Sequence, residues 1–123
     1  MANKYGIPNK VEKKIRKRDM PYCVYCHKRM TIPKRGGSRR NWATIEHLNE
    51  RGPDFWDEKW NGIRLNENNL AICCFSCNAS RGQLNLYKWF TSSYCMDRKV
   101  KIGKNTVASP VKKFLRKYIY SKQ

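Results

Sequence analysis

Residues 69–82 read NLAICCFSCNASRG, a short apolar stretch that runs into two cysteines separated by two residues. The apolar part, residues 69–73, is typical of a buried β-strand. Cys74 and Cys77 have the spacing of a zinc knuckle, a turn that offers two thiolates to one metal ion. Asn78 follows at once and is the predicted start of a helix. The run therefore predicts a strand, a metal-binding turn and a helix in direct succession.

A second pair with the same spacing, Cys23 and Cys26, lies upstream. A tetrahedral zinc site takes four ligands, with sulfur about 2.3 Å from the metal, and two such turns supply the full set. We therefore predict one structural zinc ion held by Cys23, Cys26, Cys74 and Cys77. Residues 27–73 are too many for the loop of a compact zinc finger, so they must contain structure of their own. His27 is the alternative ligand, but the four-cysteine set leaves it at the surface.

Six cysteines in a chain of 123 residues are also compatible with a disulfide framework. Against this, the first ten residues contain no apolar signal-peptide core, and reduced Cys-x-x-Cys pairs more often bind metal. Redox chemistry is disfavoured because no thioredoxin-like βαβ pattern is present. No apolar run reaches membrane-spanning length, so we expect a soluble, cytoplasmic protein that is not secreted. Cys73 is then a buried strand residue and Cys95 a core thiol.

Another strand is predicted between the cysteine pairs, at residues 42–46, where large and small side chains alternate. It ends at a Glu-His dipeptide, residues 46–47. The connection that follows, residues 48–68, is long, which is typical of a functional loop. Trp56 and Trp60 lie in it, and we expect them to form a small core of this loop rather than to stack on bases.

Three helices are predicted around these strands. Residues 9–20 form a basic helix that stops before Pro21. Residues 78–90 form a helix that Gly82 weakens. Residues 110–121 form a last basic helix that opens with a proline. The expected buried side chains of the middle helix are Leu84, Tyr87 and Phe90, and residues 99–106 are a predicted basic turn or short hairpin.

The chain carries 27 basic and 9 acidic residues, a formal charge of +18. A charge this large exceeds what solubility requires and indicates a polyanionic partner, of which nucleic acid is the first candidate. The basic residues form four clusters. Four clusters in one chain favour contacts with phosphate over an interpretation as ordinary solvent-exposed surface. The clusters are residues 13–18, 34–40, 99–104 and 112–122. The length suits a single domain, residues 1–123, with a modest core.

Glu46 and His47 together suit phosphodiester hydrolysis. A carboxylate binds a hard cation, and a neutral imidazole can take a proton from water. Neighbouring side chains of a strand point to opposite faces, so one can hold a metal while the other addresses the attacking water. Taken alone, the pair is better explained by a hydrogen-bonded histidine at a strand end. The motifs on either side of it favour the catalytic interpretation instead.

The order Cys-x-x-Cys, Glu-His, Asn-Leu, Cys-x-x-Cys-Asn-x-x-Arg-Gly closely resembles the zinc-knuckle branch of the HNH endonuclease family over about residues 21–90. The resemblance implies an α+β fold with a ββα-metal (His-Me finger) core: two antiparallel strands, a loop, and a helix that closes the metal site. Basic helices flank this core. It also implies a DNA endonuclease of phage, mobile-element or restriction type. Its products carry 5′-phosphates and 3′-hydroxyls, its partner is double-stranded DNA, and no small-molecule cofactor is needed.

Carried over to this chain, the family pattern makes Glu46 and Asn78 the ligands of one catalytic Mg²⁺ or Mn²⁺, and His47 the general base. Asn69 holds the loop and orients the site, and Arg81 contacts the phosphate or the transition state. Many members have Asp at the position of Glu46 and His at the position of Asn78. This chain is therefore an H-N-N variant, in which the amide favours magnesium.

Several alternatives stay open. Asn66 and Asn68 compete with Asn69 for the middle role. A non-catalytic, zinc-stabilised nucleic-acid-binding module explains the charge and the cysteines, but it does not need the Glu-His pair. An HNH fold that has lost catalysis and serves in packaging or assembly is a third function. The target sequence, nicking or double-strand cutting, and oligomeric state are not determined. A neutral His47 base predicts activity that falls below about pH 6 to 7.

Overall fold

The computed structural model describes residues 7–35, 37–48 and 67–120, without the side chains of residues 118–120. Within these ranges the chain is a mixed α+β structure, with helices around a two-stranded sheet. Most of the predicted long loop, including Trp56, Trp60 and Asn66, lies outside the described residues. Among the helices of the described ranges, none has the length and apolar character needed to cross a membrane.

Helix α1 (Asn9–Asp19) matches the predicted basic helix to within one residue. Glu12 lies in its first turn and Arg16, Lys17 and Arg18 lie in its last turn, which complements the helix dipole. Ile15 is fully buried in the core. Asp19 Oδ2 accepts a hydrogen bond from the backbone N–H of Ile72 at 2.9 Å. The end of the helix is thereby attached to the sheet.

Strands β1 (Ala43–His47) and β2 (Leu70–Cys74) pair in antiparallel register, with Ala43 opposite Cys74 and His47 opposite Leu70. All five residues of β2 are buried. The apolar run in the sequence reflects this burial on both faces. Each strand is confirmed, and each begins one residue later than predicted.

Helix α2 (Phe75–Arg81) begins directly after β2, with Cys74 as its N-cap. The prediction of one helix across residues 78–90 was wrong. The helix ends at Arg81 because Gly82 takes a φ of +53°, a conformation that side-chain-bearing residues rarely adopt. Two short helices follow it, α3 (Leu86–Trp89) and α4 (Ser93–Met96).

The break at Gly82 changes which side chains are buried. Asn85 caps α3 by accepting a hydrogen bond from the N–H of Lys88. The new helix therefore turns a different set of side chains toward the core than a continuous helix would. Leu86 and Trp89 are buried as a result. Of the three side chains predicted to be buried, Phe90 is buried but Leu84 and Tyr87 are 38% and 53% exposed.

The last helix begins as α5 (Ser109–Phe114) and continues with π-helical hydrogen bonding over Leu115–Tyr120. Pro110 lies in its first turn, as predicted. Val111, Phe114 and Leu115 form its buried side. The N–H of Ala108 donates to the carbonyl of Val24 at 2.8 Å. The C-terminal segment therefore packs against the turn that carries Cys23 and Cys26.

Candidate functional site

The four predicted zinc ligands converge on one point. The sulfur atoms of Cys23, Cys26, Cys74 and Cys77 all lie within 4.8 Å of one another. Cys26 Sγ and Cys74 Sγ, which belong to different pairs, are 3.9 Å apart. In a tetrahedral site with zinc–sulfur bonds of about 2.3 Å, neighbouring sulfur atoms are about 3.8 Å apart. The cluster therefore has the dimensions to hold a structural metal ion such as zinc.

Hydrogen bonds orient these sulfur atoms and set their protonation. The N–H of Cys74 donates to Cys23 Sγ at 3.3 Å, and the N–H of Cys77 donates to Cys74 Sγ at 3.4 Å. Hydrogen bonding with Cys23 lowers the pKa of Cys26 and of Cys74. Hydrogen bonding with Cys26 raises the pKa of Cys23, and hydrogen bonding with Cys23 raises that of Cys77. The four sulfur atoms thus shift one another's pKa in both directions, and a divalent cation would favour the thiolate at all four.

Tyr94, in α4, contacts the cysteine cluster and was not predicted. Its hydroxyl lies 3.3 Å from Cys77 Sγ and 2.9 Å from Ser76 Oγ. Burial and the bond to Cys77 raise the pKa of Tyr94, so the hydroxyl stays protonated. The guanidinium of Arg98 lies over the tyrosine ring, 4.9 Å from its centroid. No motif links these residues to the cysteines, because only the packing of α4 against α2 brings them together.

The remaining cysteines and the adjacent histidine lie outside the cluster, as predicted. Cys73 and Cys95 are buried. Burial raises the pKa of both thiols, which keeps them protonated. His27 is exposed, and its Nε2–H donates to the carbonyl of Thr106. This bond fixes His27 against the residues that precede α5.

A second group of predicted site residues surrounds the end of β1, where Glu46 is 1% exposed. Glu46 Oε2 accepts a hydrogen bond from the Tyr25 hydroxyl at 2.7 Å and another from Arg81 Nη1 at 3.0 Å. Neither bond uses Oε1. Burial and the Glu46 carboxylate raise the pKa of Tyr25 well above its ordinary value, so its hydroxyl remains a donor.

Arg81 is 2% exposed, and its guanidinium donates hydrogen bonds to acceptors inside the fold. Besides Glu46, its guanidinium donates to the carbonyls of His47 at 2.6 Å, Leu48 at 2.9 Å and Leu84 at 2.8 Å. Burial alone would lower the pKa of Arg81, but the Glu46 carboxylate and Tyr25 together outweigh it and the pKa is raised. In this structure the guanidinium holds the end of β1, and the phosphate contact predicted for Arg81 stays a prediction.

The other predicted site residues lie at the same end of the sheet or in the helix beside it. His47 is the last residue of β1 and is 8% exposed. Asn69 is fully buried, and its backbone carbonyl accepts the N–H of Leu48 at 2.9 Å, which extends the pairing of the two strands by one bond. Its competitor Asn68 is exposed.

Asn78 lies in α2 and faces β1. Its Nδ2 donates to Thr44 Oγ1 at 3.0 Å and to the carbonyl of Ile45 at 3.2 Å. Both bonds use the amide nitrogen, and neither involves the amide oxygen Oδ1. Ile45 directly precedes Glu46 in the strand. The amide of Asn78 is thus bonded to the residue that directly precedes Glu46 in the strand.

Comparison with protein-family models, with curated proteins and with solved structures finds no match to this chain. The functional assignment therefore depends on the residues and on the geometry described above.

Proposed function

We propose that the protein is a metal-dependent DNA endonuclease of the HNH type, built on a ββα-metal core. The observation that carries the proposal is the attachment of Asn78 to β1 beside Glu46. The amide of Asn78 is bonded to Ile45, and Glu46 and His47 are the next two residues. A carboxylate, an imidazole and an amide therefore belong to one strand end and the helix packed beside it.

The donor set fits a hard divalent cation. Glu46 Oε1 and Asn78 Oδ1 are oxygen atoms that take no part in the bonds of their side chains to Tyr25, Arg81, Thr44 and Ile45. Mg²⁺ prefers such oxygen ligands and commonly combines one or two protein groups with water and substrate phosphate. When bound, the cation would neutralise charge on the scissile phosphate and on the leaving oxygen.

His47 has the role of general base in this proposal. Its imidazole accepts a proton from the water that attacks phosphorus, on the side opposite the leaving 3′ oxygen. The backbone carbonyl of Asn69 extends the strand pairing beside it, through its bond to Leu48. Arg81 has the role of holding the Glu46 carboxylate and the carbonyl of His47, which keeps the metal ligand and the base in a fixed relative position.

The basic surface supports DNA as the substrate, and its cations fall into two groups. In α1, Lys14, Arg16 and Arg18 are paired with acidic side chains. Arg39 and Arg40 are exposed and have no acidic partner among the described residues. Arg39 also lies over the ring of Phe75, 4.7 Å from its centroid, at the start of α2. We therefore assign phosphate contacts first to this arginine pair.

A non-catalytic, zinc-stabilised nucleic-acid-binding module is the second candidate. The buried ion pair favours it, because Arg81 and Glu46 satisfy each other within the fold without any metal. In that case Glu46 has a structural role and His47 has none in chemistry. The cysteine cluster and the positive charge are equally consistent with either function.

Plasmid cleavage distinguishes the two. Supercoiled DNA is incubated with Mg²⁺ and wild type, His47→Ala or His27→Ala. The chain has two histidines, and His27 is exposed and outside the proposed catalytic machinery, so it is the matched control. We expect wild type and His27→Ala to nick or linearise the plasmid, and His47→Ala to be slower by about 10²- to 10⁴-fold. Binding of the plasmid without cleavage in Mg²⁺ or Mn²⁺ would favour the binding module.

A further inference from the structure

Tyr25 connects the two candidate metal sites. It lies between Cys23 and Cys26 in the chain and is 1% exposed. Its ring packs edge-on against Trp89, with centroids 4.8 Å apart. Its hydroxyl reaches across to Glu46 Oε2 at 2.7 Å. One rigid side chain thus extends from the turn that carries two zinc ligands to the proposed ligand of the catalytic metal.

The carboxylate of Glu46 is held from two directions. Tyr25 and Arg81 donate to the same oxygen, Oε2, from different parts of the chain. A carboxylate bound twice through one oxygen cannot rotate without losing both bonds, so its other oxygen has a defined direction. Arg81 also binds the backbone carbonyl of His47 at 2.6 Å. The direction of Oε1 is therefore fixed relative to the strand that carries the proposed base.

We propose that Tyr25 is a positioning residue that couples the four-cysteine metal site to Glu46, by holding Oε2 so that Oε1 is presented to a divalent cation. This inference rests on the proposed function, because it takes Glu46 as a metal ligand. Ion binding at the cysteines fixes the turn that contains Tyr25. Through its hydrogen bond, the Tyr25 hydroxyl then fixes the position of the Glu46 carboxylate. Partners that orient metal ligands typically affect affinity or activity by about 10- to 100-fold.

The test compares Tyr25→Phe with Tyr22→Phe. The first variant keeps the buried ring and removes the hydroxyl. The second removes a hydroxyl from the tyrosine that precedes this turn and is 53% exposed. Mn²⁺ binding is measured by paramagnetic resonance of the free ion, with Glu46→Gln as the reference for a lost ligand. Zinc content is measured on the same samples.

We expect wild type and Tyr22→Phe to bind Mn²⁺ equally, and Tyr25→Phe to bind about 10- to 100-fold more weakly while each retains one zinc per chain. Equal Mn²⁺ affinity in Tyr25→Phe and wild type would overturn the inference. So would Mn²⁺ affinity that Glu46→Gln does not change, or the absence of Mn²⁺ binding to wild type. The plasmid assay decides the proposed function separately, because wild type can cut DNA whether or not Tyr25 matters.

A measurement on the wild type covers the case in which Tyr25→Phe does not fold. Coupling between two sites is reciprocal, so Mn²⁺ should strengthen zinc retention by the factor with which zinc strengthens Mn²⁺ binding. Zinc affinity is measured by competition with a zinc-selective chelator, with and without saturating Mn²⁺, and Glu46→Gln is the control. We expect Mn²⁺ to raise the zinc affinity of wild type alone. Equal zinc affinities with and without Mn²⁺ in wild type would overturn the coupling.

Discussion

The guanidinium of Arg81 donates hydrogen bonds to acceptors from two parts of the chain. It binds a side chain and two carbonyls at and after the end of β1, and a carbonyl beyond the end of α2. Its partner Glu46 is almost fully buried, so each charge depends on the other for stabilisation. In a buried pair of this kind, removal of one member leaves the other charge uncompensated.

We predict that Arg81→Ala lowers the free energy of unfolding by about 3–5 kcal/mol, because the Glu46 carboxylate and the carbonyls lose their donor. Urea unfolding followed by circular dichroism measures the change. Arg81→Lys is the matched control, since it keeps the charge but not the planar set of donors, and its loss should be smaller. A loss below about 1 kcal/mol for the alanine variant, the level of an exposed pair, would contradict this account of the ion pair.

At the scale of elements, the break after α2 determines how the cysteine cluster meets the rest of the core. Gly82 ends the helix with φ +53°, and α3 restarts under the cap of Asn85. Trp89 can then pack against Tyr25. An uninterrupted helix over residues 78–90 would have buried a different set of side chains.

We predict that Gly82→Ala destabilises the protein by about 1–3 kcal/mol, because a residue with a side chain is strained at this φ. Space is not the cause, since an added Cβ would meet only Ala79 O at 3.9 Å. Gly103→Ala is the control, because its added Cβ would have no atom within 4 Å and its φ is not in the strained range. Thermal unfolding of both variants measures the difference. If the two variants have the same melting temperature, backbone strain at Gly82 does not explain the end of α2.

At the scale of the whole molecule, the cysteine cluster connects segments that are far apart in the chain. It joins the turn after α1 to the end of β2 and to α2. A metal ion held by these four sulfur atoms would cross-link the segments and stabilise the fold.

We predict that Cys26→Ala abolishes stoichiometric zinc binding and lowers the melting temperature by on the order of 10 °C or more. Cys95→Ala is the matched control, because Cys95 is also a free cysteine but lies outside the cluster, and it should retain one zinc per chain. Elemental analysis and calorimetry on the same samples measure both quantities. Full zinc content in Cys26→Ala would show that the four cysteines do not form the site.

The net charge of +18 leads to a prediction about DNA binding. Each lost phosphate contact reduces the slope of log affinity against log salt by about 1. We expect Arg39→Gln with Arg40→Gln to reduce the slope by about 2, because these arginines have no acidic partner in the described part of the chain. Lys14→Gln with Arg16→Gln removes the same charge from paired residues and should reduce it less. Salt titrations with a labelled duplex measure the slopes, and equal reductions would show that the acidic partners do not matter.

Local patterns in the sequence determined much of this protein. The ligand spacing of two Cys-x-x-Cys turns predicted the metal cluster, and short-range apolar patterns located α1, both strands and the last helix to within one or two residues. Each Cys-x-x-Cys turn and each of these elements depends on neighbours in the chain, so local sequence specifies them. Tertiary structure decided the rest: the break at Gly82, the inward guanidinium of Arg81, and the contacts of Tyr25 with Glu46 and of Tyr94 with Cys77. Such contacts join residues that are distant in the chain, and only the packing of α2, α3 and α4 against the cysteine turns brings their polar atoms within bonding distance.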